Sequence, residues 1–407
     1  MRIVASRDLA LCYDCPTRTS TVSRNVTEPA DLAPRLTRAD VRWSALFAVV
    51  VFLSRYLTRS TPYFGDGPFI VQAIRDRIYV VEPPGYWLYT RLGSLFPDPV
   101  FGLTFSNEVF AGAGAGVFFL LCRKLGLPLR MACAATLAYG SLFFAWFAGD
   151  IQTSHGSQML FAPLTVFCFL CYRGNKSRWL LMACGASFAV GAGMRPSDGA
   201  FLAPLFLFML FQFEPDWKRR VFLLVFTGVL CLGWYIPTQL AMHQPSVNNV
   251  RNEMHGMASR TSMLLTGINR YSIANVVRVL LPLLTACWML VPAMFSRKPQ
   301  LQKWILFLWI APGLAFFLFI SMAEAQYLTV LGGGIVLLAA LARNQRRAFS
   351  LLLACFAFNT LLFLGSRPLP SNGNAARAFD FYVVKCCNYG IRHQWNINIG
   401  NGGAVPR

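Results

Sequence analysis

The chain is 407 residues long, with 56% apolar and 13% charged residues, about half the charged share of roughly 25% found in soluble globular domains. With 35 Phe, 10 Trp and a mean hydropathy of +0.48, it is neither an ordinary soluble enzyme nor a disordered chain, which lacks apolar surface to bury. The class left is an all-α, polytopic membrane protein. The formal charge of +20 sits in short Lys/Arg clusters between apolar runs, so it reads as membrane topology rather than nucleic-acid binding.

Residues 1–42 are polar, rich in Arg, Thr, Pro and Asp, and lack the apolar core of a signal peptide. They are expected to form a disordered cytoplasmic tail. Cys12-x-x-Cys15 has metal or redox spacing but no second pair or nearby His, so it reads as free thiols. Eight of the other cysteines lie in or beside apolar runs and read as small hydrophobes. The first apolar run, 43–57, ends in Arg55 and Arg59, which are expected to snorkel to the interface. A polar stretch, 60–98, follows. Further runs cover roughly 100–122, 131–149, 159–172, 179–194, 199–213, 221–240, 273–295, 304–323, 327–342 and 348–365. The prediction is a bundle of about eleven spans over 43–365, with helix ends reaching into the flanking polar sequence.

Charge checks this topology. With the N-terminus cytoplasmic, five loops on that side each carry three basic residues, for example Arg123, Lys124 and Arg130, and their only acids are Glu214 and Asp216. The opposite face carries Asp66, Asp76, Glu82, Asp98, Asp150, Asp198, Glu253 and Glu324, as the positive-inside rule requires. An odd span count places the extension 366–407 outside, and the expected location is a plasma (inner) membrane.

The loop 60–98 has internal logic. Pro68 suits a first helical turn, and Phe69, Ala73 and Ile74 give a stripe fit to lie in the interface plane. Asp66 stands just ahead of that helix, as a cap or a functional acid. Glu82-Pro83-Pro84 ends helical structure. Tyr86, Trp87 and Tyr89 are aromatics of the headgroup level, on a second interfacial helix over about 85–96.

Gly65-Asp66 after the first span, an amphipathic helix and then Glu82-Pro83-Pro84-Gly85-Tyr86-Trp87 resemble the first external loop of the GT-C glycosyltransferases, especially the protein mannosyltransferase and aminoarabinose-transferase branch. The resemblance continues through Ala148-Gly149-Asp150 and Gly193-Met194-Arg195-Pro196, over roughly 43–215. Two positions depart: Gly67 stands where relatives often carry a second acid, and Pro83 where a basic residue often follows the Glu. The resemblance implies inverting transfer of a sugar from a polyprenyl-phosphate donor, in membrane lipid, to an extracytoplasmic acceptor. That acceptor is a lipid, glycan or protein.

Such a transfer needs a base for the acceptor hydroxyl, and a carboxylate at the membrane interface suits that work. Asp66 is the candidate. Asp150 would orient the acceptor or hold the base, or simply mark the membrane exit; Glu82 would support it or be a solvated loop acid. Arg195, in the turn Met194-Arg195-Pro196-Ser197-Asp198, would help a phosphate leave, or else anchor the interface or pair with Asp198. His155 reads as an interfacial polar residue able to bind a sugar hydroxyl, and Glu324 would line the site from the far half. Arg251, Arg260, Arg270, His243 and His255 lie in the external loop 241–272.

Glu108, deep in the second span, should be protonated, paired or facing a cavity, with Asn107 and Arg278 as candidate partners. No phosphate loop or zinc motif occurs, and Gly332-Gly333-Gly334 reads as a packing face. No metal ligand or cofactor is assigned, and a divalent metal near the acids stays open. The competing readings are a transporter or flippase using Glu108 and Arg278, which would show paired broken helices, and a non-catalytic relative that only binds polyprenyl lipid.

Overall fold

The computed structural model describes residues 36–59, 67–80, 85–242, 262–295, 300–320 and 325–366. Of the expected disordered tail, 1–42, residues 1–35 lie outside them, as does the extension beyond 366, while residues 38–42 form the first turn of a helix rather than disordered chain. Within the described residues each of the eleven apolar runs falls largely on helix. The helices are α1 (Arg38–Thr58), α2 (Gly67–Arg75), α3 (Trp87–Gly93), α4 (Pro99–Lys124), α5 (Leu129–Ser141), α6 (Phe143–Asp150), α7 (Gln158–Asn175), α8 (Arg178–Met194), α9 (Pro196–Phe213) and α10 (Trp217–Met242). Beyond a short turn at Met263–Thr266 come α11 (Arg270–Cys287, continued to Met294), α12 (Gln300–Phe319), α13 (Thr329–Ala340) and α14 (Gln345–Ser366). Among the described residues eight helical segments are long and apolar enough to cross a membrane, nine if α5 and α6 form one bent span, while α8 and the segment Ala325–Ala340 are shorter apolar helices.

Helix ends extend into polar sequence for local reasons. α1 begins at Arg38 because Thr37 caps it: its hydroxyl accepts the Asp40 N–H, and the Asp40 carboxylate accepts the Thr37 N–H at 2.9 Å. α4 starts at Pro99 behind Asp98, whose carboxylate accepts the N–H groups of Val100 and Phe101. Arg38, Arg123, Arg173, Lys218 and Arg347 all lie at one end of the spans, here the basic end. Asp98, Asp150 and Arg195 lie at the other, the site end.

α4 and α7 form the centre, and α10 is peripheral, exposing Val225, Val229, Leu232 and Ile236. Close approach at the centre depends on small residues. A Cβ at Gly114 would collide with the Met159 carbonyl of α7, and one at Gly112 would lie 2.6 Å from the Ala48 carbonyl of α1. The glycine run of α13 receives Trp309, whose indole N–H donates to the Val330 carbonyl at 2.9 Å, which is the packing role expected for it.

Five expectations need correction. The run 131–149 is not one straight span: it breaks at Leu142, where the backbone leaves helical geometry (φ −47°, ψ 124°), and α5 and α6 meet at a bend of 58°. The freed backbone groups are taken by distant side chains, the Phe143 N–H by Asn359 Oδ1 at 2.9 Å and the Gly140 carbonyl by the Arg55 guanidinium. Arg55 therefore does not snorkel; it is 0% exposed and lies over the Trp146 ring at 4.3 Å.

On α2 the buried side chains are Ile70, Val71, Ala73 and Ile74, while Phe69 points outward at 63% exposure. Ala73 and Ile74 of the expected stripe, joined by Ile70 and Val71, thus meet the protein rather than the interface, because α2 packs on α3 and α4. Tyr86 and Tyr89 face inward too, at 3% and 0% exposure. α3 is shorter than the expected 85–96.

Candidate active site

Three of the sequence-predicted residues, Asp66, Glu82 and Glu324, lie outside the described residues, as do His243, Arg251, His255 and Arg260. The other three come together at the site end. Asp150 is the last residue of α6 and 2% exposed. The chain then turns through Ile151–Thr153 into a short 3-10 segment, Ser154–Ser157, that folds back on α6, so that a Cβ at Gly156 would lie 2.8 Å from the Ala148 carbonyl. His155 is carried by that segment and Arg195 by the turn between α8 and α9.

Asn107 of α4 fixes this turn: its amide N–H groups reach the Ile151 carbonyl at 2.6 Å, the Thr153 carbonyl at 2.9 Å and the Tyr89 hydroxyl at 2.9 Å. Burial pushes the Tyr89 phenol well above its ordinary pKa, which keeps it a neutral hydrogen-bonding group. Gln152 donates to Thr104 Oγ1 at 2.6 Å. Gly67, the first residue of α2, sits against the same side chain: a Cβ there would lie 3.5 Å from Gln152 Oε1. The interfacial loop is thereby docked onto the segment that follows Asp150.

Arg195 is 3% exposed, and burying a guanidinium is costly unless it is paired and hydrogen-bonded. Its Nε donates to Asp198 Oδ1 at 3.2 Å, the local pair foreseen in the sequence, and its Nη1 reaches Tyr86 Oη at 3.3 Å and Ser154 Oγ at 3.4 Å. The guanidinium carbon also lies 4.4 Å from the Tyr327 ring centroid and 5.4 Å from that of Tyr86. Tyr327 stacks on His155 with centroids 4.4 Å apart, while His155 Nδ1 is 3.1 Å from Thr153 Oγ1. His155 is therefore a buried, ring-stacked side chain rather than an interfacial one.

A second charged group lies beside α6. Glu108, 0% exposed, accepts a two-pronged pair from Arg59, Nε to Oε1 and Nη2 to Oε2, both at 2.8 Å. The partner is thus Arg59, not Asn107 or Arg278: one turn past Arg55, Arg59 lies across from Glu108, and Asn107 is occupied by the turn at 151–153. Arg59 lies over the rings of Tyr56 and Phe101. Both Arg55 and Arg59 are within electrostatic reach of the Asp150 carboxylate, so two cations face two carboxylates at the meeting of α1, α4 and α6.

Several buried polar atoms here have no hydrogen-bond partner among the described residues: Arg55 Nε, Asn107 Oδ1, His155 Nε2 and Gln158 Oε1. Buried polar atoms are normally satisfied, so such a concentration marks a ligand site or a store of strain. Among the described residues no group of three or more His, Cys, Asp or Glu is arranged to hold a metal ion; the acids Asp66, Glu82 and Glu324 are not in that set. A cavity of about 420 Å³ lies at the basic end, lined by Arg343, Asn344 and Arg347 among others, and none of the site side chains borders it.

Sequence reasoning missed Arg55, Tyr86, Tyr327 and Asn359. Arg55 carried a signal, since an ionisable residue inside an apolar run is a functional-site candidate by default. Tyr86 stood in the motif Glu82-Pro83-Pro84-Gly85-Tyr86-Trp87 without a role of its own, and Tyr327 carried no signal beyond its place near the interface.

The helices and their apolar faces make the chain an integral, multi-pass, all-helical membrane protein. No protein-family model matches it. Over 198 residues it is 26% identical to undecaprenyl phosphate-alpha-4-amino-4-deoxy-L-arabinose arabinosyl transferase 2 of Pseudomonas fluorescens, covering 47% of this chain and 33% of that protein. Over 201 residues it is 26% identical to the corresponding transferase of Pseudomonas savastanoi pv. phaseolicola, covering 47% of this chain and 37% of the relative. The chain thus spans about a third of the length of the curated relatives it matches.

Its fold is that of the crystal structure of ArnT from Cupriavidus metallidurans bound to undecaprenyl phosphate. The TM-score is 0.56 at 16% identity, over 91% of this chain and 74% of the other. The expected resemblance to aminoarabinose transferases is met in sequence and in fold.

Proposed function

We propose that this chain is a GT-C-type glycosyltransferase that moves a sugar from polyprenyl phosphate to an extracytoplasmic acceptor with inversion at the anomeric carbon. The observation that carries this reading is the buried Arg195, held between two tyrosines beside the Asp150 turn, in the fold of a structure that binds undecaprenyl phosphate. The named relatives favour a pentosyl donor, undecaprenyl-phosphate 4-amino-4-deoxy-arabinose, over a hexosyl one. The N-terminus is then cytoplasmic, the C-terminus external and the membrane the plasma (inner) membrane, in keeping with the basic clusters at the end away from the site.

In this reaction Asp66 takes the acceptor hydroxyl proton as the oxygen attacks the anomeric carbon. The bond from that carbon to the phosphate oxygen breaks, and polyprenyl phosphate leaves with the electron pair. Arg195 offsets the charge gathering on the leaving group. Asp150 orients the acceptor or the base, with Glu82 and Glu324 contributing from the loops and His155 from beneath Tyr327. Support for Asp66 is its place in the sequence, bonded to Gly67, whose contact with Gln152 docks the interfacial helix at the site.

The test is label transfer from radiolabelled polyprenyl-phosphate aminoarabinose and a panel of polyprenyl-phosphate hexoses, in membranes holding matched amounts of wild type or Asp66→Asn. Wild type should move label from the pentosyl donor to native acceptor extract, and Asp66→Asn should not. If wild type moves no label from any donor while still binding the lipid, the transferase reading falls.

A further inference from the structure

The third apolar run breaks in mid-span, at Leu142, and the residue it delivers is Asp150. A helix broken there leaves backbone N–H and C=O groups that water cannot reach, so side chains must take them up. Two do so, from opposite sides. Asn359 of α14 accepts the Phe143 N–H, and its own amide N–H groups are fixed by the Ala286 and Cys355 carbonyls, each at 2.9 Å. Arg55 of α1 donates to the Gly140 carbonyl.

Arg55 does more than satisfy one carbonyl. Its guanidinium underlies Trp146, in the middle of α6, and its stem fills the place a side chain at residue 149 would need: a Cβ at Gly149 would lie 2.9 Å from Arg55 Nε and 3.1 Å from Cδ. Trp146 is pinned in turn, its indole N–H donating to Thr58 Oγ1 at 3.0 Å. Arg55 thus touches the end of α5 just before the break, and the middle and the end of the short helix whose last residue is Asp150. A capping amide would have been enough for the carbonyl alone; a full cation, buried to 0% exposure and within electrostatic reach of Asp150, is far more expensive to keep.

We infer that Arg55 is the positioning residue for Asp150, fixing the angle of α6 and holding the carboxylate in place through its charge. This rests on the role proposed for Asp150 in sugar transfer. It also gives the Gly149 of Ala148-Gly149-Asp150 a physical reason: glycine leaves room for the guanidinium. Arg55 touches neither donor nor acceptor in this scheme and acts only through α6 and its terminal carboxylate.

The experiment measures initial rates of transfer from radiolabelled undecaprenyl-phosphate aminoarabinose by the full-length protein in detergent. The variants are Arg55→Gln, Arg55→Lys, Asp150→Asn and Arg55→Gln/Asp150→Asn, with folding checked by gel filtration. Arg55→Gln is expected to lower kcat by about tenfold or more and to leave the donor KM within about twofold, because an interaction realised at the reacting carboxylate alters turnover rather than ground-state binding. Arg55→Lys, which keeps the charge, should recover part of the loss. In the Asp150→Asn background the Arg55 change should cost less than about twofold, since residues acting as a unit are not additive.

Equal losses in both backgrounds, or an unchanged kcat in Arg55→Gln, would overturn the inference. If Arg55→Gln does not fold, or Asp150→Asn leaves no measurable rate, Arg55→Lys decides: lowered kcat at unchanged KM supports the inference, and wild-type kcat overturns it. Full activity in Asp150→Asn would instead remove the proposed role of Asp150 itself, which separates the two failures.

Discussion

Two ion pairs join α1 to α4, one at each end, and they do different work. At the basic end Arg123 Nε meets Asp40 Oδ1 at 2.7 Å, and Asp40 also closes the α1 capping box with Thr37. The other contacts of that carboxylate, to the Thr37 N–H and hydroxyl, serve the start of α1, and both side chains of the pair sit within a turn of a helix end. At the site end Arg59 meets Glu108 nine residues into α4, at 0% exposure, next to a third and a fourth charge on Arg55 and Asp150. No cap or turn needs Glu108 there. A charge with a local structural duty is explained by the fold, whereas a buried charge without one points to chemistry.

The comparison can be sharpened by mutation. The largest effect should come from Asp66→Asn, which removes the proposed base and is expected to lower kcat by about 100-fold or more, read as label transfer at saturating donor. Next comes Arg195→Gln: losing the cation that faces the leaving phosphate should cost roughly 10- to 100-fold in kcat/KM, with detergent-solubilised protein still monodisperse. Glu108→Gln leaves Arg59 without its carboxylate and α6 with surplus positive charge. A fall in transfer of about tenfold, together with a lower melting temperature, is expected because half of a buried pair has been removed.

Asp40→Asn should be mildest. It should leave the donor kcat/KM unchanged and cost about 1 kcal/mol of stability, as expected for loss of a helix cap, measured by thermal unfolding in detergent. If Asp40→Asn harmed transfer as much as Glu108→Gln, the distinction between the two ends would fail.

Much of the bundle was legible in the sequence because lipid demands continuous apolar helix, and that demand writes itself into runs of Leu, Phe, Val and Ala. Helix starts were legible where a cap was local, as at Asp98 ahead of Pro99. The break at Leu142 was not read, although Gly140-Ser141 just before it is a pair that favours kinks. Its stabilising partners, Arg55 and Asn359, lie 85 and 216 residues from the groups they satisfy.

The site divided along the same line. Asp150, Arg195 and His155 stood out as polar residues at span ends, and the structure gathers them. The surroundings that give them their properties, Tyr86 under Arg195 and Tyr327 between Arg195 and His155, arise only when the loop after α2 and the segment before α13 meet. Aromatics near an interface have one default reading, the headgroup belt, and nothing local in the sequence says that these two turn inward.

The central claim, that the lipid phosphate is handled at the site end, is tested most directly by photo-crosslinking. Undecaprenyl phosphate carrying a diazirine next to the phosphate would be irradiated with the full-length protein in membranes, and the labelled peptides identified by mass spectrometry. Labels on the segment Ser154–Ser157, around Tyr86 and on the turn between α8 and α9, competed away by unlabelled lipid, are the expected result. Labels confined to the basic end, around Arg343 and Arg347, would contradict it.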